Sequence, residues 1–169
     1  VLVERGDSIR KDLQMFVDST VSDERAQLEA LWLYQNLSRT NLPLPLLHKL
    51  LDAKDGRVRA AAVRVVTDWH ADLWSPVELL ITKVTDPFAR VRLEAVRALA
   101  RIPRFRSAEL VLSVLNHPMD DFLDYAVWLA INELAEPWIK AVESGVWKIE
   151  GREKQLEFGL KAIPSAQAS

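Results

Sequence analysis

Residues Arg92-Leu-Glu-Ala-Val-Arg-Ala98 set the fold, because three other segments of the chain align with them without gaps. These are Gln27-Leu-Glu-Ala-Leu-Trp-Leu33, Arg59-Ala-Ala-Ala-Val-Arg-Val65 and Leu123-Asp-Tyr-Ala-Val-Trp-Leu129. One small residue recurs in the same place, giving a column of Ala30, Ala62, Ala95 and Ala126 at spacings of 32, 33 and 31. Behind it runs an aliphatic column of Leu31, Val63, Val96 and Val127. A fixed period of this length is the mark of a stacked repeat, in which each unit shares its core with its neighbours.

Working outward, an apolar block precedes each of the last three segments. Leu47/Leu51, Leu80/Val84 and Val111/Leu115 keep the i, i+4 step of a single helix face. Each repeat therefore reads as a first helix, a short turn and a second helix. The expected class is all-α, an α-α superhelix of about four to five helix pairs. The repeats fall at about 8–39, 40–72, 73–104 and 105–136, with a partial one at 137–163 and a tail at 164–169, all in a single domain. In the partial repeat Gly159 lies 33 residues after Ala126 in the small column.

Punctuation agrees with that division. Ser75-Pro76-Val77-Glu78 has the form of a capping box with proline at the first helical position. Asp86-Pro87 offers a carboxylate for free amides ahead of the next helix, and Pro118 and Pro137 mark later starts. Glu136-Pro137 is expected to end the helix carrying Trp128. Alanines in the second helices let helix axes approach closely, where larger side chains would overpack.

Asp86-Pro-Phe-Ala-Arg-Val-Arg-Leu-Glu-Ala-Val-Arg-Ala-Leu99 resembles the second-helix signature of HEAT repeats. In that family an aspartate in the turn and an arginine six positions later form a ladder between repeats, and Asp86 and Arg92 match those positions. Arg59 falls in the arginine column, but Ala53 stands where the aspartate is expected, with Asp52 and Asp55 as the available substitutes. The period is shorter than the roughly 40–47 residues of the long HEAT class, so the resemblance is to the short HEAT-like variety.

A narrower resemblance covers the second half. Asn116-His-Pro-Met-Asp-Asp-Phe-Leu-Asp-Tyr125 and Glu136-Pro-Trp-Ile-Lys140 are similar to HEAT regions of very large bacterial proteins of planctomycete and verrucomicrobial type. Those proteins are membrane-bound dehydrogenases or haem-binding proteins whose haem attaches at Cys-x-x-Cys-His. This chain has no cysteine, so the resemblance implies a scaffold segment rather than a redox centre, in the bacterial envelope or periplasm. The opening Val1-Leu2-Val3-Glu4-Arg5, without initiator Met or leader, reads as the start of a fragment.

Composition narrows the chemistry. Hydrophobic residues make up 49% of 169 and charged residues 27%, enough to bury a core. No run of about 18 apolar residues suggests a membrane span. Without cysteine there is no disulfide, thiolate zinc site or thiol nucleophile. His48, His70 and His117 do not stand three or four apart as helix-borne metal ligands do. Asp120, Asp121 and Asp124 begin a helix, where the dipole favours negative charge, and no acid–base partner accompanies them. No glycine-rich phosphate loop or Gly-x-Ser-x-Gly elbow is present. Catalytic, cofactor and metal residues are therefore expected to be absent.

Net charge is −2, with Arg57, Arg59, Arg64, Arg90, Arg92, Arg97, Arg101, Arg104 and Arg106 in the middle and Asp120, Asp121, Asp124, Glu133, Glu136 and Glu143 beyond. Local pairing on helix faces accounts for most such charge. Trp69, Trp74, Trp138 and Trp147 stand at helix ends and turns, where packing with the indole N–H on a carbonyl is expected. Trp32 and Trp128 differ, since both lie two residues after the alanine column, where the middle repeats carry Arg64 and Arg97. That register is the outer side of the second helix, and Trp and Arg are the residues most enriched at interface hot spots. The expected function is a non-catalytic protein-interaction or scaffold module with Trp32, Arg64, Arg97 and Trp128 as partner contacts. The alternative is a DNA-binding enzyme of the HEAT-like glycosylase kind, which would need a basic groove that the overall charge does not support.

Overall fold

The computed structural model describes residues 2–37 and 42–163, with side chains from residue 8 onward. The expected tail at 164–169 and the join between the first two repeats lie outside the described residues. Among those residues there are ten α-helices, one 3-10 turn and no strand. They form two compact units, one running to Val65 and the other from Val66, and the division falls inside α4.

The first unit contains α1 (Leu2–Ser19), α2 (Glu24–Leu37), α3 (Leu44–Leu51) and the opening turns of α4 (Gly56–Trp69). Helix α2 packs on both α1 and α3. Its buried stripe is Gln27, Leu28, Ala30, Leu31 and Tyr34, the 3.6-residue period read from the sequence. Leu46, Leu47, Leu50 and Leu51 are all buried on α3, and burying each such side chain contributes about 1.5–3 kcal/mol. Asp23 starts α2 by accepting hydrogen bonds from the amides of Arg25 and Ala26, both at 3.0 Å. Asp55 does the same for α4 through the Arg57 amide at 2.8 Å. In both places a carboxylate satisfies amides that the first helical turn leaves without partners.

The second unit continues through α5 (Pro76–Leu80), α6 (Ala89–Ala100), α7 (Phe105–Ser113), a 3-10 turn (Val114–Asn116), α8 (Asp121–Glu133), α9 (Ala135–Glu143) and α10 (Glu153–Ala162). Helix α6 packs on α5, α7 and α8, and α8 packs on α7, α9 and α10. Second helices thus stack on one another, with α6 against α8 and α8 against α10, while first helices cover their other side. Leu80, Val84, Val111, Val114 and Leu115 are buried, as the first-helix blocks require. Helix α8 is capped by Asp120, whose carboxylate accepts from the Leu123 amide at 2.8 Å.

Several local expectations need correction. Helix α5 begins at Pro76, but the Ser75 side chain makes no capping bond and the helix stops after five residues. Pro137 does not start α9; it lies inside that helix's first turn, where a missing N–H has no partner to lose. Trp74 is 99% exposed and packs against nothing. Trp69, Trp138 and Trp147 are buried, yet the indole N–H groups of Trp138 and Trp147 reach no acceptor among the described residues. These two rings instead meet edge to face, with centroids 5.7 Å apart and planes at 72°. Gly159 sits directly over Trp138, so closely that a β-carbon would lie 2.4 Å from its Cη2.

Candidate partner-binding surface

Second helices carry the features of interest, and their turns fix where those helices point. Arg59 donates from Nη1 to the main-chain oxygens of Ala53 at 2.8 Å and Lys54 at 3.0 Å. Arg92 repeats the geometry, donating to the oxygens of Asp86 at 2.8 Å and Pro87 at 3.3 Å. Its second terminal nitrogen reaches the Pro118 oxygen in the next turn at 2.7 Å. The guanidinium therefore clamps the backbone six residues ahead of it, and Ala53 serves there as well as Asp86. The Asp86 carboxylate accepts from the Phe88 amide at 2.8 Å, just before α6 begins. A related junction joins turns in the first unit, where the Glu24 carboxylate accepts from the amides of Lys54 at 2.7 Å and Asp55 at 3.0 Å. Those two bonds, Asp55 first, hold the Glu24 carboxyl below its ordinary value.

Of the alanine column, Ala30, Ala62 and Ala95 are fully buried, as the register demands. Ala126 is not; it is only half-buried. The space beside it is a groove of about 550 Å³ between α6 and α8. Leu93, Arg97 and Arg101 stand on one wall, and Phe122, Tyr125 and Leu129 on the other. Phe122 is 79% and Tyr125 61% exposed, and Tyr125 stacks on Trp128 with centroids 6.0 Å apart and planes at 12°.

The four outward positions can be placed individually. Trp32 and Arg64 belong to the first unit, Arg97 and Trp128 to the second. All four are exposed, the tryptophans at 45% and 41%. Arg97 pairs with Glu94 at 3.5 Å, and Glu94, itself buried, also holds Arg90 at 2.9 Å. Each tryptophan has an asparagine one turn on whose amide donates to the tryptophan's main-chain oxygen, Asn36 to Trp32 at 2.9 Å and Asn132 to Trp128 at 2.8 Å.

A family model for HEAT repeats matches residues 43–132, more than half of the chain. The chain belongs to the HEAT-repeat family. Its helix pairs are thus of the α-α solenoid class, and the family is generally non-catalytic and commonly serves in protein interaction and scaffolding. No curated protein matches the chain.

Within this HEAT-repeat frame, chemistry-bearing clusters are sparse. Among the described residues no group of three or more His, Asp or Glu side chains is placed to hold a metal. No described helix is long and apolar enough to cross a membrane. Reading the sequence missed Phe122, Leu129, Leu93 and Arg101 as surface features. The available signal was that α8 carries apolar residues on two faces, Leu123, Val127, Ala130 and Ile131 filling the core while Phe122, Tyr125 and Leu129 lie on another, with Asp121, Asp124 and Asn132 on the arc between.

Proposed function

We propose that this chain is a non-catalytic protein-interaction module whose contacts are made by the outward positions of its second helices, Trp32, Arg64, Arg97 and Trp128. The observation that carries this reading is the exposure of large aromatic side chains on helices whose opposite faces are already buried. Holding Trp32, Trp128, Tyr125 and Phe122 in water forgoes the burial energy that such rings provide elsewhere, and interfaces are where it is recovered. The finer reading, a scaffold segment of a large bacterial dehydrogenase- or haem-bearing protein, is supported by the resemblance of the Asn116–Tyr125 and Glu136–Lys140 segments alone.

Changing Arg64 and Arg97 together to Ala tests the module. Thermal stability should move by no more than about 0.5 kcal/mol per site, as exposed residues do, while affinity-purified partners drop out of a pull-down. A double variant that keeps every interaction removes these two positions from consideration. Nucleic acid is the weaker reading, because Arg90 and Arg97 share Glu94 while Arg106 and Arg152 share Glu109. Retention on immobilised DNA at low salt, released steeply as salt rises, would reverse that preference.

A further inference from the structure

Resting on the interaction-module reading, we propose that the groove between α6 and α8 receives an acidic amphipathic helix from a partner protein. The partner's apolar stripe would lie on Phe122, Tyr125 and Leu129, and a carboxylate of the same helix on Arg101 and Arg97.

Dimensions come first. Leu93 and Arg97 on α6 and Arg101 at its C-cap step by four residues, and Phe122, Tyr125 and Leu129 by three and four along α8. At about 1.5 Å per residue these ladders run roughly 12 Å and 10 Å, two turns of a docked helix. The groove's volume of about 550 Å³ suits the apolar side chains of such a stripe. The opening exists because the floor is alanine: Ala126 leaves a depression where a larger residue would fill it. Partner helices that lay an apolar face in a groove present anchors at i, i+3 or i+4 and i+7, the spacing of the α8 ladder itself.

Charge then selects among such helices. Glu94 is the carboxylate nearest Arg97, but it is buried and bonds Arg90 more closely, at 2.9 Å against 3.5 Å. Arg101 forms no ion pair among the described residues. The α6 wall therefore presents two cations, Arg97 and Arg101, against one carboxylate lining the groove, Glu133 at the C-terminal end of α8, and a partner carboxylate set on Arg97 and Arg101 gains charge-assisted bonds beside the apolar strip. A phosphate backbone would meet the cations but leave the aromatic wall uncovered.

The test is selection of 16-residue peptides from a displayed library on the immobilised full chain, followed by fluorescence anisotropy with labelled winners. The expected winners carry Leu, Phe or Trp at helical spacing with Asp or Glu beside them. Arg101→Glu and Leu129→Ala should each weaken them at least tenfold, Arg101→Lys by much less, and Trp74→Ala, fully exposed and outside the groove, not at all. Circular dichroism of each variant confirms that the fold is kept. Winners that bind Arg101→Glu and Leu129→Ala as well as wild type would overturn the groove and leave the module reading standing. Basic winners would overturn the charge assignment. A library without winners overturns the peptide helix; if sedimentation then shows a dimer that Leu129→Ala dissociates, a second copy is the occupant.

Discussion

Gly159→Ala should destabilise this protein, although the same change in an open helix would stabilise it. Gly159 lies in the interior of α10, where alanine is favoured by about 1 kcal/mol. Its β-carbon, however, would sit 2.4 Å from Cη2 and 2.8 Å from Cζ2 and Cζ3 of Trp138. That ring is buried and already braced edge to face on Trp147, which Arg152 covers with its guanidinium 5.4 Å from the ring centre. Relief must therefore come from moving α10, and overpacking of this sort costs about 1–3 kcal/mol. With contacts below 3 Å the upper part of that range applies, so the net loss is about 1–2 kcal/mol. Trp138→Phe draws the shorter ring back from Gly159 and costs stability in its own right. In that background Gly159→Ala should turn stabilising by about 1 kcal/mol, a coupling of about 2–3 kcal/mol in a double-mutant cycle. Urea denaturation of the four proteins, followed by circular dichroism at 222 nm, gives these values. A stabilising Gly159→Ala in the wild-type background, or an effect of the same sign in both, would refute the close approach of Gly159 to Trp138.

Ala95→Leu should cost about 1–3 kcal/mol, because it adds bulk where α6 is fully buried. Ala61→Leu, half-buried one step off the column, should be nearly silent in the same denaturant series. Arg92→Met keeps the buried stem but abandons three main-chain oxygens, and about 3 kcal/mol should be lost. Asp86→Ala keeps the oxygen that Arg92 binds and removes the bond to the Phe88 amide, so calorimetry should show only about 1 kcal/mol. The Glu24 carboxyl is held low by the amides of Asp55 and Lys54, so its contribution is complete above the ordinary glutamate range near about 4.3. That contribution is lost as pH falls through the depressed folded value. Melting temperature in buffers from neutral to below pH 4 should therefore show part of its decline removed in Glu24→Gln, which itself costs about 1 kcal/mol at neutral pH.

The helix-pair repeat was legible because its signals are local and repeated. All four aligned segments fall inside helices, α2, α4, α6 and α8, and the aliphatic column Leu31, Val63, Val96 and Val127 is fully buried. Caps were harder. Asp23 and Asp55 stand seven residues before the alanine column, Asp86 nine and Asp120 six, so a search for one fixed aspartate column finds only part of the set. The groove was least legible. Tyr125, Phe122 and Leu129 look like core residues by type, and only the placement of α6 shows that the core on that side stops at Ala126. The outward register of Trp32, Arg64, Arg97 and Trp128 followed from the alanine column, since a helix has one face left once two are assigned.

Because Arg59 and Arg92 grip main-chain oxygens, the residue that supplies the oxygen is almost free to vary, as the pair Ala53 and Asp86 already illustrates. Every non-proline and proline residue alike offers that oxygen. The turns could therefore exchange charge, size or polarity over evolutionary time, or be recoded by a designer, while the spacing between neighbouring helices stayed put. Only the arginine itself has no substitute of equal reach.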